Sequence, residues 1–297
     1  MSYKKIILLY GPTASGKSRL ALDIAKKYNG EIVNGDSMQI YKEAKILSAR
    51  PTGRNIKHHL YGFISAKKHF SVGLWYKQAI KIIKEIKKKE KVPIITGGTG
   101  LYFKVLVEGL VQIPEVPKIN YSSYVVDQYK KKYPKILEGI NLRDTQRIFR
   151  AISVYKHTGI SLSEWYKKEN KKYFDSEAFT KILLIPPKSE LEKKIKKRFI
   201  KMLKNGAIKE AKNFKKLEIS RNSLLSANSI IGLNEIALFL DKRISMEELK
   251  EKVLIRTRQY AKRQFTWARG QMKDWKGFTD INYLDLRKKV LSYLSKT

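Results

Sequence analysis

Gly11-Pro12-Thr13-Ala14-Ser15-Gly16-Lys17-Ser18 fits the pattern G-x-x-x-x-G-K-[ST], a spacing made for anion chemistry. Glycines at both ends let the backbone curl until successive amide hydrogens point inward. A following helix N-terminus adds partial positive charge, Lys17 can reach an outer phosphate, and Ser18 can hold Mg²⁺. A di- or triphosphate is the expected ligand. Two further loops carry chemistry: Gly35-Asp36-Ser37-Met38-Gln39-Ile40-Tyr41 and Gly97-Gly98-Thr99-Gly100-Leu101-Tyr102. Asp36 could orient a metal or take a proton from an acceptor substrate, and Thr99 offers a hydroxyl. A plain helix cap at Asp36 and a tight strand-to-helix turn at the glycines are the competing readings.

These loops need strands behind them. Lys4 to Tyr10 (KKIILLY) is a compact apolar run halted by Gly11 and Pro12, the signature of a buried parallel strand. Glu31 to Asn34 and Val92 to Thr96 repeat that pattern, and helical stretches at Lys17 to Lys27 and Ser71 to Lys91 separate them. Lys181 to Ile185, closed by two prolines, predicts a fourth core strand. The chain after it is helical, most clearly over Ser189 to Asn205, Ala207 to Leu217 and Met246 to Trp267. The expected fold is α/β: a P-loop NTPase-like parallel sheet core with a small helical insertion and a helical C-terminal part. Weak periodicity after Gly109 places the insertion at residues 113–139, with the core over 1–112 and 140–297.

Lys and Arg total 63 against 27 Asp and Glu, a net charge of +36, so a polyanionic partner is the first expectation. The zero cysteine count excludes disulfides, thiolate metal sites and a cysteine nucleophile. The N-terminus lacks signal-peptide character and no apolar run is long enough to span a bilayer, so a soluble cytoplasmic protein without membrane attachment is expected. Arg143, Arg147 and Arg150 recur at helical spacing. Arg256, Arg258, Lys262, Arg263 and Arg269 interleave with Tyr260, Trp267 and Trp275, a mixture suited to phosphates and unstacked bases. Trp267 and Phe265 read as core, His58 and His59 as structural.

Taken in order, GPTASGKS, GDSMQIYK, HHL with FSV, GGTGLYFK, QRIFRAISVYKHTG (Gln146 to Gly159) and RQYAKRQFTW (Arg258 to Trp267) resemble the tRNA dimethylallyltransferases of bacterial type over nearly the whole chain. The resemblance implies transfer of a dimethylallyl group from dimethylallyl diphosphate to N6 of the adenosine 3′ of the anticodon in tRNA, position 37, with release of diphosphate. It further implies that Thr13 to Ser18 bind diphosphate, in a loop that opens with Gly11 and Pro12. On the same ground Asp36, Ser37, Met38 and Gln39 contact the target adenosine. Gln146, Arg147, Ile148, Phe149 and Arg150 contact tRNA, joined by Arg258, Lys262 and Arg263 from the basic segment. The chemistry suits Asp36 as general base, Thr99 as a support for the base, and Lys17 with Mg²⁺ at Ser18 against the leaving group. Two departures stand out: the stretch between Gly109 and Arg143 is short for the inserted domain, and Leu233 occupies a position commonly aromatic. Partners are therefore the anticodon stem-loop of tRNA and dimethylallyl diphosphate, with a monomer expected. A nucleoside or small-metabolite kinase and an RNA-binding ATPase remain the rival uses of the same loop.

Overall fold

The computed structural model describes residues 4–51, 55–117, 119, 121–219 and 225–297. It divides into two compact units, Met1–Val107 with Phe174–Thr297, and Glu108–Tyr173.

In the first unit, six parallel strands lie in the order β3-β2-β4-β1-β5-β6. In chain order they are β1 (Ile6–Tyr10), β2 (Gly30–Asn34), β3 (His58–His59), β4 (Val92–Gly97), β5 (Phe179–Leu184) and β6 (Lys276–Phe278). β1, β2 and β4 are buried along their whole length, which is why their sequences read as continuous apolar runs rather than alternation. The helices of this unit are α1 (Lys17–Lys27), α2 (Val72–Lys88) and α3 (Gly100–Glu108), then α7 to α11 beyond the second unit. α1 turns Leu20, Ala21, Ile24 and Ala25 onto the sheet at a helix's spacing. α2 starts where Ser71 Oγ accepts the Leu74 amide at 3.2 Å and buries Trp75, Ala79, Ile83 and Ile86.

The second unit holds α4 (Ser123–Lys132), α5 (Thr145–Thr158) and α6 (Leu162–Lys167). Its core joins Val116, Val126, Ile136 and Leu137 to Ile148, Ala151, Ile152, Val154 and Leu162. The expected insertion at 113–139 is therefore too narrow: those residues bury their apolar side chains against α5 and α6, so the unit extends to Tyr173.

α7 (Lys188–Lys204), α8 (Ala207–Lys215), α9 (Leu233–Leu240), α10 (Met246–Gln271) and α11 (Tyr283–Leu294) complete the first unit. α8, α9 and α10 share a core with Ile40, Tyr41, Ala44, Leu47 and Ala66, so this helical layer supports the chain just after Asp36. Leu233 is buried in that layer. α11 packs Leu286, Val290, Leu291 and Leu294 against the α1 side of the sheet. α11 falls within the stretch expected to be helical, whereas the strands β3 and β6 are not foreseen in the sequence, because two- and three-residue strands carry too little pattern to register.

Candidate active site

β1, β2 and β4 are neighbours in the sheet, so the three loops that leave their C-terminal ends meet at one edge, the usual ligand crevice of an open α/β sheet. After β1, the turn closes with the Ser15 amide donating to Pro12 O at 3.2 Å, and Ala14 and Gly16 adopt φ of 63° and 90°. α1 begins at Lys17, which puts its free N-terminal amides at the loop. The Ser15 hydroxyl is buried and has no hydrogen-bond partner among the described residues.

Lys17 is buried, and its Nζ donates to Pro12 O at 3.0 Å. Burial lowers its pKa to about 8, with Arg198 pushing in the same direction and Asp36 pulling it back up. Arg198, on α7, donates from Nη1 to Thr13 Oγ1 at 2.9 Å; burial lowers its pKa also, while Asp36 raises it. Two cations at one loop repel each other, and an anion between them removes that cost.

Asp36 is half-buried in an Asx turn: its Oδ1 accepts the Met38 amide at 3.0 Å, and its own amide donates to Asn34 Oδ1 at 2.9 Å. Among the described residues Oδ2 makes no hydrogen bond. Asn34 Nδ2 fixes the turn from below, donating to the carbonyls of Asp36 and Leu60, both at 2.9 Å. The carboxylate's field reaches Tyr10, Tyr102 and Tyr260, whose hydroxyls are pushed up chiefly by burial and further by Asp36.

Thr99 ties the third loop to the second. Its Oγ1 accepts the Ser37 amide at 2.9 Å and donates to Ser37 Oγ at 3.1 Å, while its own amide donates to Gly35 O at 3.2 Å. Gly97 is required where these loops touch: a Cβ there would lie 2.0 Å from the Gly35 carbonyl.

The structure thus gathers Gly11–Ser18, Asp36 and Thr99, as their spacing predicts, and treats the remaining candidates unevenly. Gln39 is buried, with Nε2 donating to Ser48 O and Ala49 O at 3.0 and 3.3 Å, so its amide shapes the loop. Ser37 and Met38 are half-buried beside Asp36. Gln146–Arg150 lie on α5 of the second unit: Gln146 and Arg147 are exposed, Phe149 packs edge-on to Tyr121, and Arg150 is half-buried. Ile148 does not face outward; it sits on the apolar stripe of α5 inside the core of its unit. Arg143 precedes α5, because Asp144 caps the helix by accepting the Arg147 amide, so the three arginines do not share one helix.

Arg258, Lys262 and Arg263 are exposed along α10, with Arg263 over the Tyr260 ring at 5.8 Å. Arg256 is occupied instead with the buried Glu235 at 2.5 Å. Trp275 packs edge-on to Tyr10 and Phe103. Three residues that serve the site were not foreseen as such: Arg198, Gln264 and Asn34. Arg198 had a signal, being the one arginine in the lysine-filled α7 segment KSELEKKIKKRFIKMLK. A partly desolvated cation that must stay charged favours a guanidinium over an ammonium.

Comparison with known proteins gives the family and the fold. The family model described as IPP transferase matches residues 39–271. A tRNA dimethylallyltransferase of Pelagibacter ubique is 47% identical over 285 residues, covering 91% of this chain and 90% of that protein. The crystal structure of a tRNA isopentenylpyrophosphate transferase from Staphylococcus epidermidis aligns with TM-score 0.69 and 28% identity over 98% of this chain and 99% of that one. A eukaryotic dimethylallyltransferase acting on tRNA shares the fold with TM-score 0.81 at 24% identity, covering 97% of this chain and 77% of that one. No described helix is long and apolar enough to cross a membrane.

Proposed function

From the premise that the chain belongs to the IPP transferase family, we propose that Gly11–Ser18 cradle the diphosphate of dimethylallyl diphosphate while Asp36 receives the proton of the attacking adenosine amine. Dimethylallyl transfer to tRNA is the activity; the acceptor we assign is N6 of the adenosine 3′ of the anticodon, and the setting is the cytoplasm. The observation that carries the mechanism is the opposition of charge across one sheet edge: buried Lys17 and half-buried Arg198 on one side, and on the other a half-buried carboxylate whose field both cations feel.

The adenine amine is a weak nucleophile because its lone pair is delocalised into the ring. As N6 bonds to the allylic C1, the C1–O bond breaks and its electron pair leaves with the diphosphate. The N6 proton passes to Asp36, whose Oδ2 is uncommitted. Loop amides, Lys17 and Arg198 meet the charge that grows on the leaving oxygen, and none must reorganise to do so. Thr99, already bonded to Ser37 and Gly35, holds the acceptor side in register. The adenosine must leave its stack to reach this edge, which costs a few kcal/mol and least in a single-stranded loop. Gln146, Arg147 and Arg150 of the second unit, with Arg258, Lys262 and Arg263 of α10, supply the phosphate and base contacts.

Mg²⁺ fits here as a companion of the diphosphate. Among the described residues no group of three or more His, Asp or Glu side chains could hold a metal alone. Ser18, at the start of α1, would share the ion with diphosphate oxygens. When bound there it would supply charge neutralisation to the leaving group.

The test incubates the protein with unmodified tRNA, Mg²⁺ and either labelled dimethylallyl diphosphate or γ-labelled ATP. Label entering tRNA from the prenyl donor alone is expected. Phosphoryl transfer, or ATP consumption without prenylation, would contradict the reading.

A further inference from the structure

We infer that Gln264 is a positioning residue that sets the distance between the diphosphate cradle and the Asp36 loop. The inference deepens the proposed function and rests on its assignment of Asp36. Gln264 lies on α10, 251 positions from the loop it serves, and is 4% exposed. Its Oε1 accepts the Thr13 amide at 2.8 Å, and its Nε2 donates to Gly98 O at 2.8 Å. Its own backbone carbonyl accepts the Tyr10 hydroxyl at 3.1 Å. A single side chain therefore spans the first and third loops, and the fit is close: a Cβ on Gly98 would come within 2.1 Å of Nε2.

From Gly98 the linkage continues through the next residue. Thr99 bonds Ser37 and Gly35, the two neighbours of Asp36. The path from cradle to carboxylate is thus Thr13, Gln264, Gly98, Thr99, and then the Asp36 turn. The other backbone link between the first and third loops, the Gly11 amide to Gly97 O, is long at 3.4 Å. Only an amide offers a donor and an acceptor in one fork; a carboxylate would face Gly98 O with no proton to give, and a thioether would leave both backbone groups unpaired. The Thr13 amide is spent on this link, so that residue meets the diphosphate through its hydroxyl, whose oxygen already accepts from Arg198.

In-line displacement needs N6 and the leaving oxygen on opposite sides of C1 at fixed separation, and a misplacement of about 1 Å can cost about 100-fold. Gln264→Met should therefore lower kcat by about 30-fold, while the inhibition constant of inorganic diphosphate, which needs the cradle alone, shifts by less than about threefold. A residue acting through Asp36 also loses its effect once Asp36 is gone. In the Asp36→Ala background the same substitution should cost less than about threefold in kcat. Thermal melts of each variant check folding; should Gln264→Met not fold, Gln264→Glu, of the same shape, enters the same cycle. Effects that multiply in the double variant, or diphosphate affinity falling in step with kcat, would overturn the inference and leave Asp36 in place. An unimpaired Asp36→Ala enzyme would instead remove the assignment beneath it.

Discussion

The first loop and the second loop leave one sheet edge on either side of β4, yet they are built on opposite plans. The cradle at Gly11–Ser18 is largely buried and cationic, and chain from far downstream braces it: Arg198 is 185 positions from Thr13, and Gln264 is 251. The Asp36 turn is half-buried and anionic, held by its own neighbours Asn34 and Met38 and by Thr99. The difference follows from the two tasks. A leaving diphosphate gains charge, so its site gains from cations held in a dry, fixed frame. A carboxylate that accepts a proton from an entering nucleotide must stay open toward that nucleotide, and local bonds suffice to aim it.

If that division holds, damage to the two loops should separate kinetically. Asp36→Ala should lower kcat by about 10² to 10⁴ and leave tRNA affinity, measured by filter binding, within about threefold. Lys17→Ala should lower kcat/KM for dimethylallyl diphosphate by about 10² to 10³, because it removes charge from donor binding and from departure alike. Equal loss of tRNA affinity in both variants would dissolve the contrast.

Titration sharpens the comparison further. The cradle must present Lys17 charged, and burial sets its pKa at about 8, so kcat/KM for the prenyl donor should fall about tenfold per unit as pH rises above that value. Stability of the unliganded chain should move the other way. Between about 8 and the ordinary 10.5 the unfolded lysine holds a proton that the folded one has released, so folding gains as pH rises through that window. A flat profile across pH 8 would show that Lys17 titrates elsewhere.

The smallest effect on chemistry belongs to Arg256, which sits in the same basic helix as the proposed tRNA contacts. Because Arg256 is paired with the 5%-exposed Glu235, Arg256→Ala should destabilise the fold by about 2 kcal/mol, in line with the uncovering of a buried charge. kcat of the remaining folded enzyme should be nearly unchanged. Arg258→Ala should do the reverse, weakening tRNA binding in a salt-dependent way without shifting the melt.

What was legible in the sequence tracks the range of the forces involved. Lys17, Asp36 and Thr99 stand in short motifs at the ends of apolar runs, and the runs themselves became β1, β2 and β4, so local pattern was enough. Arg198 and Gln264 act across most of the chain, where sequence spacing says nothing about proximity; Gln264 sits in RQFTW as an unmarked polar residue until α10 carries it to Thr13. The basic segments were read by composition, which cannot tell Arg256, tied to Glu235, from Arg258, exposed two residues later. Unit boundaries failed for a related reason: the apolar stripe of α5 was visible, but not that it closes a core with Val116 and Val126.

The most direct measurement is a crystal structure of the protein with an anticodon stem-loop and an unreactive dimethylallyl diphosphate analogue. The account predicts diphosphate oxygens within hydrogen-bond reach of the free amides at the start of α1, the Thr13 hydroxyl and Lys17, and Asp36 Oδ2 about 3 Å from the adenine N6. Asp36 turned away from the base, or the diphosphate bound outside the cradle, would contradict it.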